Sequence, residues 1–174
     1  RRAVRFVRAN SDKFGIDPNK IAVMGSSAGG HLAALCSTYL NKLDDEGIDV
    51  LDSVDFRPNA QILCYPVLDY DGNKWSFEAF LGENAKNIAD SYTPSIICDE
   101  NTPPVFLWHT AEDDTVNVSN SYKYALKLRE LNIPVEMHIY PYGNHGLGLA
   151  LNNPYLQNWA DHLVFWLKLN EYVK

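Results

Sequence analysis

The 174-residue chain carries 15 Lys+Arg against 22 Asp+Glu, a formal net charge of −7, with 46% hydrophobic and 21% charged residues. This balance excludes a largely disordered chain and suits one domain with a sizeable core. The acidic total argues against nucleic acid as a partner, and no apolar run approaches the ~18 residues of a membrane span.

The chain opens on Arg1-Arg2 and is at once in a helical pattern, with no Ser, Thr, Asp or Asn before it as a cap. Val4, Val7 and Phe14 fall near one face of this helix, and Arg1, Arg5 and Arg8 share another. The arginine face is expected to be solvated. No hydrophobic signal segment follows the arginines, so the chain is expected to start inside a structural element, as a fragment would.

Ile21–Met24 is a short apolar run followed by glycine, read as a buried strand. A helix is expected from Ala28 to Leu40, with Leu32, Leu35, Cys36, Tyr39 and Leu40 on its apolar face. Residues 44–55 hold Asp44, Asp45, Glu46, Asp49, Asp52 and Asp55. Their spacing does not match a calcium loop, so they are read as a solvated acidic loop and no metal is expected.

Further strands are expected at 60–65, 105–108 and 135–140, with a helix from Ser119 to Leu131. Trp75, Phe77, Phe80 and Leu81, in the long 67–101 crossover, are read as local core, with a small cap over the site as the alternative. A last helix is expected to start with Asn153 as cap and Pro154 in the first turn. Its buried stripe would be Tyr155, Leu156, Trp159, Leu163, Trp166 and Leu167. Strands alternating with helices imply an α/β fold with a parallel sheet of about four strands. The first strand would then lie at an open edge. A further N-terminal segment or a homo-oligomer partner is expected to cover it. The three cysteines (Cys36, Cys64 and Cys98) have neither paired nor metal-type spacing. A reduced, cytoplasmic setting is therefore expected.

The chemistry concentrates in Gly25-Ser26-Ser27-Ala28-Gly29-Gly30, between an apolar strand and an amphipathic helix. This is the context of a G-x-S-x-G nucleophile elbow. The positions two before and two after the nucleophile must be small. Ser27 has Gly25 and Gly29 there, whereas Ser26 has Met24 and Ala28, so Ser27 is the candidate. At a helix N-terminus, the Ala28 N–H is the natural oxyanion donor.

A serine nucleophile needs a base. Of five histidines, His145 stands in a glycine-rich loop, residues 143–148, just past the last strand. His31, His138 and His162 read as structural or surface groups, and His109 as a residue lining the site. For the carboxylate that orients the base, Asp113, Asp114 and Asp69 compete, and spacing alone leaves all three open.

These residues resemble the α/β-hydrolase superfamily, in particular bacterial carbohydrate esterases of the acetyl-xylan and feruloyl type. The likeness rests on Gly-Ser-Ser-Ala-Gly-Gly-His-Leu-Ala at 25–33, on Pro103 to His109, and on the loop from Gly143 to Gly148. The family's Asp-x-x-Val at the acid turn implies Asp113 with Val116, giving the order Ser27, Asp113, His145. The resemblance implies a serine esterase of short acyl esters such as acetylated sugars, with a small-molecule ester as substrate and no cofactor. The family's leading strands and second oxyanion loop are not matched. Residues 1–174 are therefore expected to be a single, incomplete C-terminal portion of the fold, inactive alone. A serine peptidase of the prolyl-oligopeptidase type and a non-catalytic binding or assembly module are the alternatives.

Overall fold

The computed structural model describes residues 1–39 and 49–173. Helices α1 (Arg2–Ala9) and α2 (Ser11–Phe14) lead into strand β1 (Ala22–Ser26) and helix α3 (Ala28–Thr38). Strand β2 (Ala60–Cys64) is followed by α4 (Lys74–Leu81), α5 (Ala85–Ile88) and α6 (Pro94–Ile97). Strand β3 (Val105–Thr110), helix α7 (Ser119–Glu130), strand β4 (Val135–Tyr140) and helix α8 (Asn158–Leu169) complete the order.

The strands form one sheet in the order β1-β2-β3-β4, and every pairing is parallel. Parallel neighbours cannot be joined by a hairpin, so each connection crosses back over a face and covers it. Strands β2 and β3 are consequently buried at every position. Their side chains divide by the two-residue period of a strand. Ile62, Cys64, Phe106 and Trp108 pack under α8 with Trp159, Leu163 and Trp166. Leu63, Val105 and Leu107 pack under α3 and α7 with Ala33, Ala34, Tyr124 and Leu128. The Trp108 and Trp159 rings stack at 5.0 Å. Burial pushes the Cys64 and Cys98 thiols up, Cys98 to about 11, so both stay protonated at neutral pH.

Several expected faces are corrected by packing. The α3 residues that pack on the sheet side are small, Ala33 and Ala34, with Gly30 against Pro66, while Leu35 is buried on the side of α1. Leu32 is 70% exposed, because close approach of helix to sheet favours small side chains at the contact. Leu40 and the acidic residues Asp44, Asp45 and Glu46 lie outside the described residues. Tyr155 is exposed, and α8 begins at Asn158 rather than at Pro154. Asn153 does cap, accepting from Tyr155 N and Leu156 N, but it closes a separate turn before the helix. In the crossover Phe77 is fully buried and Leu81 packs beside it, whereas Trp75 and Phe80 face out.

The arginine face of α1 is not solvated. Arg5 is buried, with Nη1 on Asp52 Oδ1 at 2.9 Å and Nε donating to Val54 O. Arg8 donates to the Pro18 and Arg57 carbonyls and to Asn59 Oδ1. Arg2 pairs with Asp49, whose side chain also caps the 3₁₀ turn Val50–Ser53. The expected solvated acidic loop is thus, at Asp49 and Asp52, the docking surface for α1. Phe14, expected on the apolar face, is half exposed against Phe6.

Among the described residues β1 is an edge of the sheet, with Met24 54% exposed. No helix among them is long and apolar enough to cross a membrane.

Removing one member of a buried ion pair strands the other. Arg5→Leu is expected to lower folding stability by about 3 kcal/mol, read as a fall in the urea midpoint, whereas Arg57→Leu, in a looser and partly exposed pair at 3.8 Å, is expected to change it less.

Candidate active site

The parallel sheet delivers the carboxyl ends of β1, β2, β3 and β4 to one edge. Ser27 occupies the single residue between β1 and α3, with φ 55° and ψ −123°. A non-glycine residue in that region carries about 1–3 kcal/mol of strain. Two bonds hold it there: Ser27 N donates to Cys64 O at 2.9 Å, and Val67 N donates to Ser27 O at 3.1 Å. A Cβ on Gly25 would meet Gly29 O at 2.0 Å, so Gly25 is obligatory. The second close approach is at Gly30, against Pro66 at 2.7 Å, not at Gly29, where a Cβ would meet nothing within 4 Å. The expected small pair 25 and 29 is therefore 25 and 30 by contact. Ala28 opens α3 and is exposed, which puts its N–H in the free first turn.

His145 is carried by a loop with positive φ at Gly143, Gly146 and Gly148. Four bonds anchor the loop. Thr110 Oγ1 donates to Gly143 O at 2.8 Å, and Gly143 N donates to Glu112 Oε2 at 3.3 Å. Gly148 N donates to the Tyr65 hydroxyl at 3.2 Å, and Trp159 Nε1 donates to Gly148 O at 3.1 Å. The Tyr65 ring stands edge-on to the His145 imidazole at 5.0 Å.

Asp113 lies in the turn after β3, its side chain fully buried. Oδ1 accepts from Thr115 N and Val116 N, at 3.0 and 2.8 Å. Oδ2 accepts from His145 Nδ1 at 2.7 Å and from His109 Nε2 at 3.1 Å. A carboxylate only accepts, so His145 carries its proton on Nδ1. Its Nε2 is then free to accept from Ser27 Oγ, 2.7 Å away. The structure thus brings together Ser27, His145 and Asp113. Asp114 is exposed and accepts from the Thr115 hydroxyl. Asp69 closes a different turn, accepting from Gly72 N and Lys123 Nζ. Burial alone would raise the Asp113 carboxyl. The donors from His109, Val116, His145 and Thr115 outweigh it and hold the carboxyl at about 2.

The other histidines have their own partners. His31 Nε2 donates to Tyr92 O at 2.7 Å and packs on Phe77, and burial pulls its pKa down. His138 bonds Glu136 and stacks on His162 at 4.5 Å. His109, expected to line the site, is instead fully buried behind Asp113. Tyr65 escaped the sequence reading altogether. Its φ of 37° and its two contacts with the histidine loop have no local signature beyond its place at the end of β2, before Pro66. Among the described residues no group of three or more His, Cys, Asp or Glu is placed to hold a metal ion.

The depressed carboxyl has a consequence for stability. Held at about 2 against its usual 3.8, Asp113 contributes roughly 2 kcal/mol. That contribution is complete above the unfolded value, and it is lost as pH falls from about 4 to about 2. Urea midpoints followed through this range are expected to fall more steeply for the native chain than for Asp113→Asn.

With this geometry in place, comparison with known proteins becomes specific. The BD-FAE family pattern matches residues 1–128. An acetylxylan esterase of Xylanibacter ruminicola is 32% identical over 172 residues, covering 94% of this chain and 33% of that protein. The acetyl ester-xyloside bifunctional hydrolase of Caldicellulosiruptor lactoaceticus superposes with a TM-score of 0.91 at 39% identity, over 99% of this chain and 64% of that one. An α/β-hydrolase enzyme from a Medee basin deep-sea metagenome library, MGS-M1, superposes at 0.72 with 34% identity, over 95% and 60%. The chain spans between 18% and 40% of the length of the curated relatives it matches. An all-parallel sheet with a serine elbow at its carboxyl edge, matched by this family over more than half its length, places the chain in the BD-FAE family of α/β hydrolases.

Proposed function

We propose that the protein containing this chain hydrolyses carboxylic esters through an acyl-enzyme on Ser27, with short acyl groups on sugars as its substrates. The single observation that carries the reading is the unbroken hydrogen-bond chain from Ser27 Oγ through His145 to Asp113. The three residues come from three separate strand ends, and a merely structural serine turn has no need of them in line. The relatives named as acetylxylan esterase and acetyl ester-xyloside hydrolase support the substrate class.

The steps follow from the proton positions. His145 Nε2 takes the Ser27 proton as Oγ attacks the ester carbonyl carbon. The carbonyl oxygen gains the negative charge beside the Ala28 N–H, at the N-terminus of α3. His145, now an imidazolium, donates from Nε2 to the departing alcohol oxygen. Water then attacks the acyl carbon, giving its proton to the same nitrogen; the bond from that carbon to Ser27 Oγ breaks, Oγ takes the proton back from Nε2, and the carboxylic acid leaves. Asp113 holds the imidazole in the required tautomer and stabilises the imidazolium throughout. Ser27 is strained before substrate arrives, so no backbone reorganisation is required at the moment of attack.

In the complete protein, a fluorophosphonate probe is expected to add one label at Ser27, read by intact mass and peptide mapping. Ser27→Ala is expected to abolish the label and to lower kcat/KM for p-nitrophenyl acetate by at least about a thousandfold. Among acetylated xylo-oligosaccharides, long-chain aryl esters and proline peptides, the acetylated sugars are expected to be turned over best. Preference for the peptides would overturn the ester reading.

A further inference from the structure

Asp113 Oδ2 serves two imidazoles, and only one of them reaches the nucleophile. The second is His109, at 0% exposure, the next-to-last residue of β3. Its Nε2 lies 3.1 Å from Asp113 Oδ2 and 3.0 Å from Val116 O. A carbonyl oxygen can only accept, so this nitrogen carries a proton and shares it between the two oxygens. The far nitrogen, Nδ1, is hydrogen-bonded to the Ser121 hydroxyl at 2.8 Å. Ser121 is itself fully buried in the first turn of α7.

We propose, resting on the triad reading above, that His109 is a positioning residue of the active site: its Nε2–H, fixed by the Val116 carbonyl, holds the Asp113 carboxylate in the rotation that aims Oδ2 at His145, and Ser121 anchors the far edge of the His109 ring. A carboxylate turns readily about its last bond unless both oxygens are held. Oδ1 has two backbone donors from its own turn. They move with that turn and leave Oδ2 with His145 alone, a residue on a glycine-rich loop. His109 supplies the reference that neither gives, because it is rooted in the central sheet beside Trp108 and Leu107. One line of contacts then runs from α7 through β3 and the acid turn to the histidine loop and the elbow.

The same donor draws charge from Oδ2 and, with burial opposing it, helps keep the carboxyl at about 2. The neighbouring carboxylates, Glu112 and Asp114, are exposed and are satisfied elsewhere, by Gly143 N and by Thr115 Oγ1. The cation on α7 nearest in sequence, Lys123, is paired with Asp69. His109 contacts neither Ser27 nor the space in front of it, so its effect passes through Asp113.

The complete protein would be compared as native, His109→Leu, His109→Gln and Ser121→Ala. Glutamine can present an N–H near the position of Nε2, whereas leucine cannot. Loss of one hydrogen bond to a charged group is expected to slow fluorophosphonate labelling of Ser27 by roughly ten- to a hundredfold in His109→Leu. His109→Gln is expected to recover most of that rate. For p-nitrophenyl acetate the loss should fall on kcat with KM little changed. Proton NMR is expected to show the far-downfield His145 Nδ1–H signal shifted or broadened in the leucine variant and restored in the glutamine one. Carbon NMR should show the Asp113 carboxyl titrating at higher pH without His109.

Labelling of His109→Leu at the native rate, with the His145 signal unmoved, would overturn the positioning role while leaving the esterase proposal intact. Failure of the native protein to label at Ser27 would instead strike the esterase proposal, and the NMR comparison would still decide what His109 does. If leucine at 109 prevents folding, Ser121→Ala carries the test. A slower label with the His145 signal shifted or broadened is then the supporting result, and a native rate with an unmoved signal is the opposing one.

Discussion

Ser27 N–H donates to the Cys64 carbonyl, and the Val67 N–H donates to the Ser27 carbonyl. This pair of bonds ties the turn after β1 to the end of β2 and holds Ser27 at a φ that serine avoids. Everything else at the site is arranged around it. The absence of side-chain bulk at Gly25 and Gly30 lets the turn close, one against Gly29 and the other against Pro66. Parallel pairing in register, with Ser26 opposite Cys64 and Cys64 opposite Trp108, brings the next strand ends to the same level. The acid turn and the histidine loop then leave from neighbouring strands, and His145 has only a short span to bridge.

Buried polar groups stabilise this arrangement only because their partners are complete. Asp113 has four donors, and His109, Gln61 and Arg5 are likewise satisfied. A group left unpaired in such surroundings costs about 1–3 kcal/mol. Trp108 Nε1 is the one buried side-chain polar atom without a hydrogen-bond partner among the described residues. It belongs to a ring stacked on Trp159 and met edge-on by Tyr65. Aromatic packing there, about 0.5–1.5 kcal/mol per ring pair, works against that cost.

The elements were legible where local pattern and burial agree. Strands β1, β2 and β3 were visible as short apolar runs beside glycine or proline, and β2 and β3, buried on both faces, must be largely apolar; β4, at the other end of the sheet with Glu136 and His138, was marked by its bounding prolines. The choice of Ser27 over Ser26 followed from glycine spacing alone, although the contact that makes glycine necessary falls at 30 and not at 29. The arginines of α1 were misread. Their spacing describes a face, but only the fold brings the 49–59 segment against it and turns a charged face into a docked one. Leu32 failed in the opposite sense, because an apolar residue at helical spacing need not be the one that meets the sheet.

The amino-acid sequence by itself determined an α/β chain with a strained serine turn, a histidine on a flexible-backbone loop and three candidate carboxylates. Those features are local, written in glycine spacing and two- and 3.6-residue periods. Only the tertiary structure decided that Asp113 faces His145, that Asp69 and Asp114 do not, and that His109 and Tyr65 stand behind the two partners. Hydrogen bonding is set by distances of a few tenths of an ångström between residues 32 to 118 positions apart. No local pattern encodes such distances, and they arise when parallel strands fall into register.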